Sequence, residues 1–62
     1  MADIPTRTRM VALDMMKIYG DGAGAEATKR AQAAKAASQP EAEIMWQDVG
    51  RAIDQLAAEL NS

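Results

Sequence analysis

Apolar side chains recur at helical spacing in three segments of the chain, separated by Gly, Ser and Pro residues. The strongest pattern fills the last third, where large apolar residues fall every three or four positions. This spacing predicts an amphipathic helix over about 40–60. The residues that we expect it to bury are Met45, Trp46, Val49, Ile53 and Leu56.

The first segment predicts a helix over about 7–19, preceded by a short flexible leader at 1–6. Gly20 follows directly, and glycine suits the left-handed position that ends many helices. We expect the core-facing side of this helix to comprise Val11, Met15, Ile18 and Tyr19.

The middle segment is dominated by alanine, the residue with the highest helix propensity. It predicts a helix over about 22–37, whose core face includes Ala27 and Ala31. Connections this short favour antiparallel neighbours. We therefore predict an all-α, three-helix unit in which the first and third helices pack over the alanine face of the second.

Polar residues before each helix are candidates for capping its free N–H groups. Ser38 and Glu41 have the S-x-x-E spacing of a capping box, and Pro40 falls in a first turn, where proline is tolerated. The expected N-caps are Thr6 (or Asp3 as the alternative), Asp21 and Ser38.

Composition restricts the chemistry. A chain of 62 residues forms one domain at most, which we place at 1–62. It has no His and no Cys, so thiolate and imidazole metal sites and Ser-His or Cys-His catalysis are excluded. The carboxylates lie off the apolar stripes, where desolvation would not tune them for acid–base work. We expect no enzymatic activity, no cofactor and no metal.

Charge and hydropathy indicate which partners and which cellular location to expect. The net charge is −2, whereas a nucleic-acid-binding domain normally has a basic face, so a nucleic-acid partner is not expected. The N-terminus lacks an apolar segment of the secretory type, and no apolar run approaches the ~18 residues of a membrane span. A cytoplasmic protein without membrane contact is the expectation.

The chain has a Tyr19-Gly20 pair, an Arg30-Ala31 pair and Trp46 followed three positions on by Val49. In this pattern it resembles a group of small helical alphaproteobacterial proteins of unknown function, common in sphingomonads. The resemblance covers roughly residues 10–57, with Gln39-Pro40 where that group usually has Gly-Asp. It implies a helical fold and no known activity, so it adds no site residue. The matching residues are Tyr19, Gly20, Asp21, Ala27, Arg30, Ala31, Trp46, Val49 and Ile53.

A weaker resemblance connects the chain with tetratricopeptide repeats, whose helix pairs are similar in their spacing of Pro, Trp and Gly. Pro40, Trp46, Val49 and Gly50 carry it, and Tyr19 is consistent with it. The middle helix is out of register by one residue, and the chain holds less than two repeats, where about three are needed. The resemblance implies a similar way of packing helices.

One apolar surface remains unassigned to the core. On the first helix Met10, Leu13 and Met16 share a face rotated away from Val11 and Met15, and Ile44 falls on the polar side of the third helix. An exposed apolar face calls for a partner, and a second copy of the chain is the most economical one.

We therefore predict a non-catalytic interaction or regulatory module that self-associates, with a homodimer as the candidate assembly. The alternative is a small nucleic-acid-associated regulator of the phage or antitoxin kind. That alternative requires the basic side chains to converge in space, namely Arg7, Arg9, Lys29, Arg30 and Arg51.

Overall fold

The computed structural model describes residues 5–61, which form α-helices joined by short turns and contain no strand. Helix α1 spans Thr6–Tyr19, a 3-10 turn spans Gly20–Gly22, α2 spans Ala23–Ala36 and α3 spans Pro40–Leu60. The all-α prediction is confirmed. Because the 3-10 turn joins α1 directly to α2, residues 6–36 form one bent helical run, and α3 is the second.

Helix α3 organises the packing, since both α1 and α2 make their main contacts with it and touch each other less. Gly24 lies beside Asp54, and Ala27 lies beside Gly50, so α2 runs antiparallel to α3. α3 packs on the alanine face of α2 as expected, but α1 packs chiefly on α3 instead of on that face. The reason is that α3 alone carries a continuous stripe of large apolar side chains.

The core is thin and rich in alanine. Val49 is the largest fully buried side chain among the described residues, and Val11, Met16 and Trp46 pack against the core from its edge. The buried residues are Ala12, Met15, Ala23, Ala27, Ala31, Ala34, Val49, Ala52, Ile53 and Leu56.

Three residues expected in the core are exposed. Ile18 is 72% exposed and Tyr19 is 39% exposed. Both lie in the last turn of α1, after its last buried residue, Met15. Met45 is 43% exposed, because it precedes the buried part of α3, which begins at Val49. In each case the spacing is helical, but helical spacing alone does not determine whether another helix covers the position.

The helix starts differ from the expected caps. Pro5, Gly22 and Gln39 occupy the three N-cap positions, and none of them makes a side-chain cap hydrogen bond. Thr6 is already helical and Asp21 belongs to the 3-10 turn, so both predictions are wrong. Asp3 lies outside the described residues.

The ends of α1 and α2 are closed by residues with positive φ. Gly20 has φ 57°, and its N–H donates to the carbonyl of Met16. Ser38 has φ 59°; its N–H donates to Lys35 at 3.1 Å, while that of Gln39 donates to Ala34 at 2.9 Å. This pair of bonds is a Schellman motif. Ser38 therefore ends α2, and the predicted capping box with Glu41 is wrong.

We predict that Ser38→Gly stabilises the fold by about 1 kcal/mol, because glycine adopts the left-handed conformation without the steric penalty of a Cβ. Urea unfolding measures the change. The control is Ala37→Gly, next to it at φ −85°, where glycine only adds unfolded-state entropy and should destabilise. Equal effects of the two substitutions would contradict the role of Ser38.

Candidate functional site

The outward side of α1 presents two exposed apolar side chains one turn apart. Met10 is 60% exposed and Leu13 is 39% exposed, whereas Met16, the third member of the expected face, packs partly against the core. Below, Met10 and Leu13 are called the outer face. Its existence follows from amphipathicity, because the opposite side of α1 contributes Ala12 and Met15 to the core.

Ile44, the fourth residue of the candidate interface, is 57% exposed but lies elsewhere. A 3.6 Å contact between Arg9 and Glu59 places the start of α1 near the end of α3. Ile44 precedes Glu59 by fifteen residues, or about 22 Å of helix. The structure therefore does not bring Ile44 together with Met10, and the four expected residues do not form one patch.

A cluster around Arg30 connects all three helices. Its Nη2 donates to the Tyr19 hydroxyl at 2.9 Å, and its Nε donates to a Glu26 carboxylate oxygen at 2.9 Å. The guanidinium carbon also lies 4.9 Å from the centre of the Trp46 ring, within the range of a cation–π contact. Arg30 thus joins the end of α1, the side of α2 and the face of the only Trp.

The same contacts favour the protonated, positively charged form of the Arg30 side chain. The hydrogen bond that Arg30 donates to the Glu26 carboxylate raises the pKa of the Arg30 guanidinium, although partial desolvation opposes the shift. Of these contacts, only the pair between Glu26 and Arg30 is predictable from the sequence, because these residues lie four positions apart on one helix. Tyr19 and Trp46 are 11 and 16 positions from Arg30, so no local pattern could have identified them.

An open groove of about 740 Å³ runs between α2 and α3. Small residues form its floor, Trp46 borders it, and side chains of both signs line its rims, with Lys35 and Arg51 opposed by Glu43 and Asp54. Mixed charge of this kind selects neither an anion nor a cation. The groove is therefore a consequence of pairing two helices through alanine and glycine rather than a ligand site defined by its chemistry.

Three of the five basic residues named for a nucleic-acid surface contact acceptors of their own chain. Arg9 lies near Glu59, Arg30 bonds to Glu26, and Arg51 pairs with Asp48. A phosphate backbone would compete with these contacts. Within residues 5–61 no group of His, Cys, Asp or Glu has a metal-binding arrangement.

None of the helices formed by the described residues combines the length and apolar character that a bilayer-spanning segment needs. Comparison of the chain with protein-family models, curated proteins and solved structures gives no match. The site must therefore be interpreted from its own geometry.

We predict that Gly50→Ala stabilises the protein by about 1 kcal/mol, the difference in helix propensity between glycine and alanine. A Cβ at Gly50 would meet the Cβ of Ala27 at 3.8 Å, an ordinary contact. Thermal unfolding measures the change. The matched control is Ala58→Gly on the exposed side of the same helix, which should destabilise by a similar amount. A loss of stability in Gly50→Ala would show that α2 and α3 require closer approach.

We predict that Arg30→Ala lowers the free energy of unfolding by more than Lys29→Ala, its exposed neighbour on α2. The reason is that Arg30→Ala removes the hydrogen bond to Tyr19 and the cation over Trp46. Because Trp46 is the only Trp, its fluorescence emission reports the site directly and should shift to longer wavelength. Unchanged emission in Arg30→Ala, or equal effects of both variants, would contradict the cluster.

Proposed function

We propose that this chain is a non-catalytic helical interaction module, of cytoplasmic type, that associates with a second copy of itself through the outer face of α1. The observation that carries the proposal is the exposure of Met10 and Leu13 on a helix whose other side is already committed to the core. Unlike a single exposed residue, two large apolar side chains one turn apart form a continuous strip. Burying such a strip removes apolar area from water, which favours association.

The composition of the strip supports a partner of the same kind. Methionine is unbranched and flexible, so it adapts to a facing apolar surface without a preformed pocket. In a two-fold dimer the same strip meets its own copy, so a single patch serves both sides of the interface. A self-association site therefore needs no second surface elsewhere on this short chain.

The small size of the domain is a second reason to expect self-association. A chain this short buries only about 60% of the surface that its unfolded form exposes, so it gains little stability from its own core. Association of the folded form adds stability by mass action. An outer face that pairs two copies would compensate for a core made largely of alanine.

The test is the solution mass by light scattering over a concentration series, for the natural chain and for the double variant Met10→Lys with Leu13→Lys. We expect the natural chain to dimerise and the double variant to be a folded monomer, with the dissociation constant raised at least about tenfold. Met16 is left unchanged, because it packs against the core and its replacement would also test folding.

The control is Ile18→Lys, which adds charge at an equally apolar and more exposed position on another side of α1. It should leave the dissociation constant unchanged. A natural chain that is monomeric throughout the series, or an equal loss of association in Ile18→Lys, would refute the proposed surface. Circular dichroism of each variant shows that the helices are intact.

A further inference from the structure

The bend between α1 and α2 depends on one glycine. Gly20 has φ 57° and ψ −127°, the conformation of the first central residue of a type II′ turn, which is adopted almost only by glycine. A Cβ added at Gly20 or at Gly22 would have nothing within 4 Å. The turn itself is therefore not closely packed, and the positive φ of Gly20 is the local backbone feature that sets the bend.

The apolar stripe continues through the bend in the phase of a single helix. Ala12, Met16 and Tyr19 precede the turn, and Ala23 and Ala27 follow it, at intervals of four, three, four and four residues. These intervals average close to one helical turn. If residues 6–36 were straight, all of these side chains would lie on one face, so the straight form needs no change in which side of the run is buried.

Straightening would break few contacts between α1 and α2, but it would separate α1 from its own α3. Helix α1 packs chiefly on α3. A hydrogen bond that Arg30 donates to the Tyr19 hydroxyl connects α1 with α2. In a straight helix, eleven residues span about 16 Å, so that bond would break. The contacts of α1 with α3, including that of Arg9 with Glu59, could form again with the α3 of another copy.

We propose that residues 6–36 act as a switch between this bent form and a straight helix, and that in the straight form α1 leaves its own α3 and docks on that of a second copy. Short hinge segments are known routes to such domain swapping. A straight run of 31 residues is about 46 Å long, whereas the longest dimension of the bent unit is 37 Å. The straight form therefore cannot fit within a single compact unit and exposes α1 to exchange.

The proposed exchange of α1 and the proposed association through the outer face have only the partner in common, which is a second copy of the chain. The exchanged contacts are the core contacts of α1, whereas the outer face lies on the opposite side of that helix in both forms. Association through the outer face and exchange of α1 are therefore separable by substitution.

The experiment measures a distance within one chain. The natural sequence has no Cys, so Arg7→Cys and Ala36→Cys, both at exposed positions, accept spin labels selectively. Labelled chains are diluted with unlabelled ones so that only intrachain distances contribute. The straight helix predicts about 43 Å between the Cα atoms of these positions, and the bent form predicts a shorter distance because the chain turns at Gly20.

The test variants change only the backbone conformational preference of residue 20. Gly20→Ala disfavours the bend, because alanine at this φ is strained, and should raise the population with the long distance about tenfold. Gly22→Ala is the matched control, since Gly22 has φ −86° and adopts a conformation that alanine accepts. D-alanine at position 20, introduced by chemical synthesis, favours positive φ and should suppress the long distance.

Support requires that Gly20→Ala, combined with Met10→Lys and Leu13→Lys to disable the outer face, shows the long distance together with twice the monomer mass. A short distance only, a long distance at monomer mass, or the same long distance in Gly22→Ala would overturn the proposal. If Gly20→Ala does not fold, the protein with D-alanine at position 20 supplies the test. The switch is overturned if this protein exchanges α1 as much as the natural chain does. Repeating the measurement with Met10→Lys and Leu13→Lys separates the two ideas, since exchange should persist when the outer face is disabled.

Discussion

The structure depends on the close contact of α2 with α3, which is made through small residues. Ala27 and Gly50 meet where larger side chains would hold the helices apart, and Val49, Ile53 and Leu56 supply the large apolar groups from the α3 side. Since α2 contributes alanine and no large apolar side chain to this core, α3 is the element on which both other helices pack. The position of α1, the groove and the exposed ends of α1 and α3 all follow from this unequal division.

Helix content and helix ends were predictable because they depend on local interactions. The bounds of α1 and α3 agree with the periodic pattern to within a residue, since Gly20 and Pro40 are strong local signals. The core was less predictable. Spacing identifies the face on which Ile18 and Met45 lie, but it does not show which part of that face another helix covers. Alanine occurs on both faces of α3, so the burial of Ala52 could not be distinguished.

The candidate site shows the same division between local and long-range information. The exposure of Met10 and Leu13 follows from the helical period of α1, whereas the separation of Ile44 from them depends on how α1 lies on α3. The Arg30 cluster is the clearest example, because its partners come from three helices and only Glu26 lies within reach on the same one. Residues brought together across such distances need the fold before their contact can be inferred.

The alanine-rich core also affects how stability varies with temperature. The heat capacity change of unfolding scales with the apolar surface exposed, and an average domain of this length would show about 0.8 kcal/mol per kelvin. Six of the ten buried apolar residues in the described part of the chain are alanines, so the value for this protein falls below that average. Its free energy of unfolding consequently changes slowly with temperature, and the fold retains a similar, modest stability from cold to warm conditions instead of a sharp optimum.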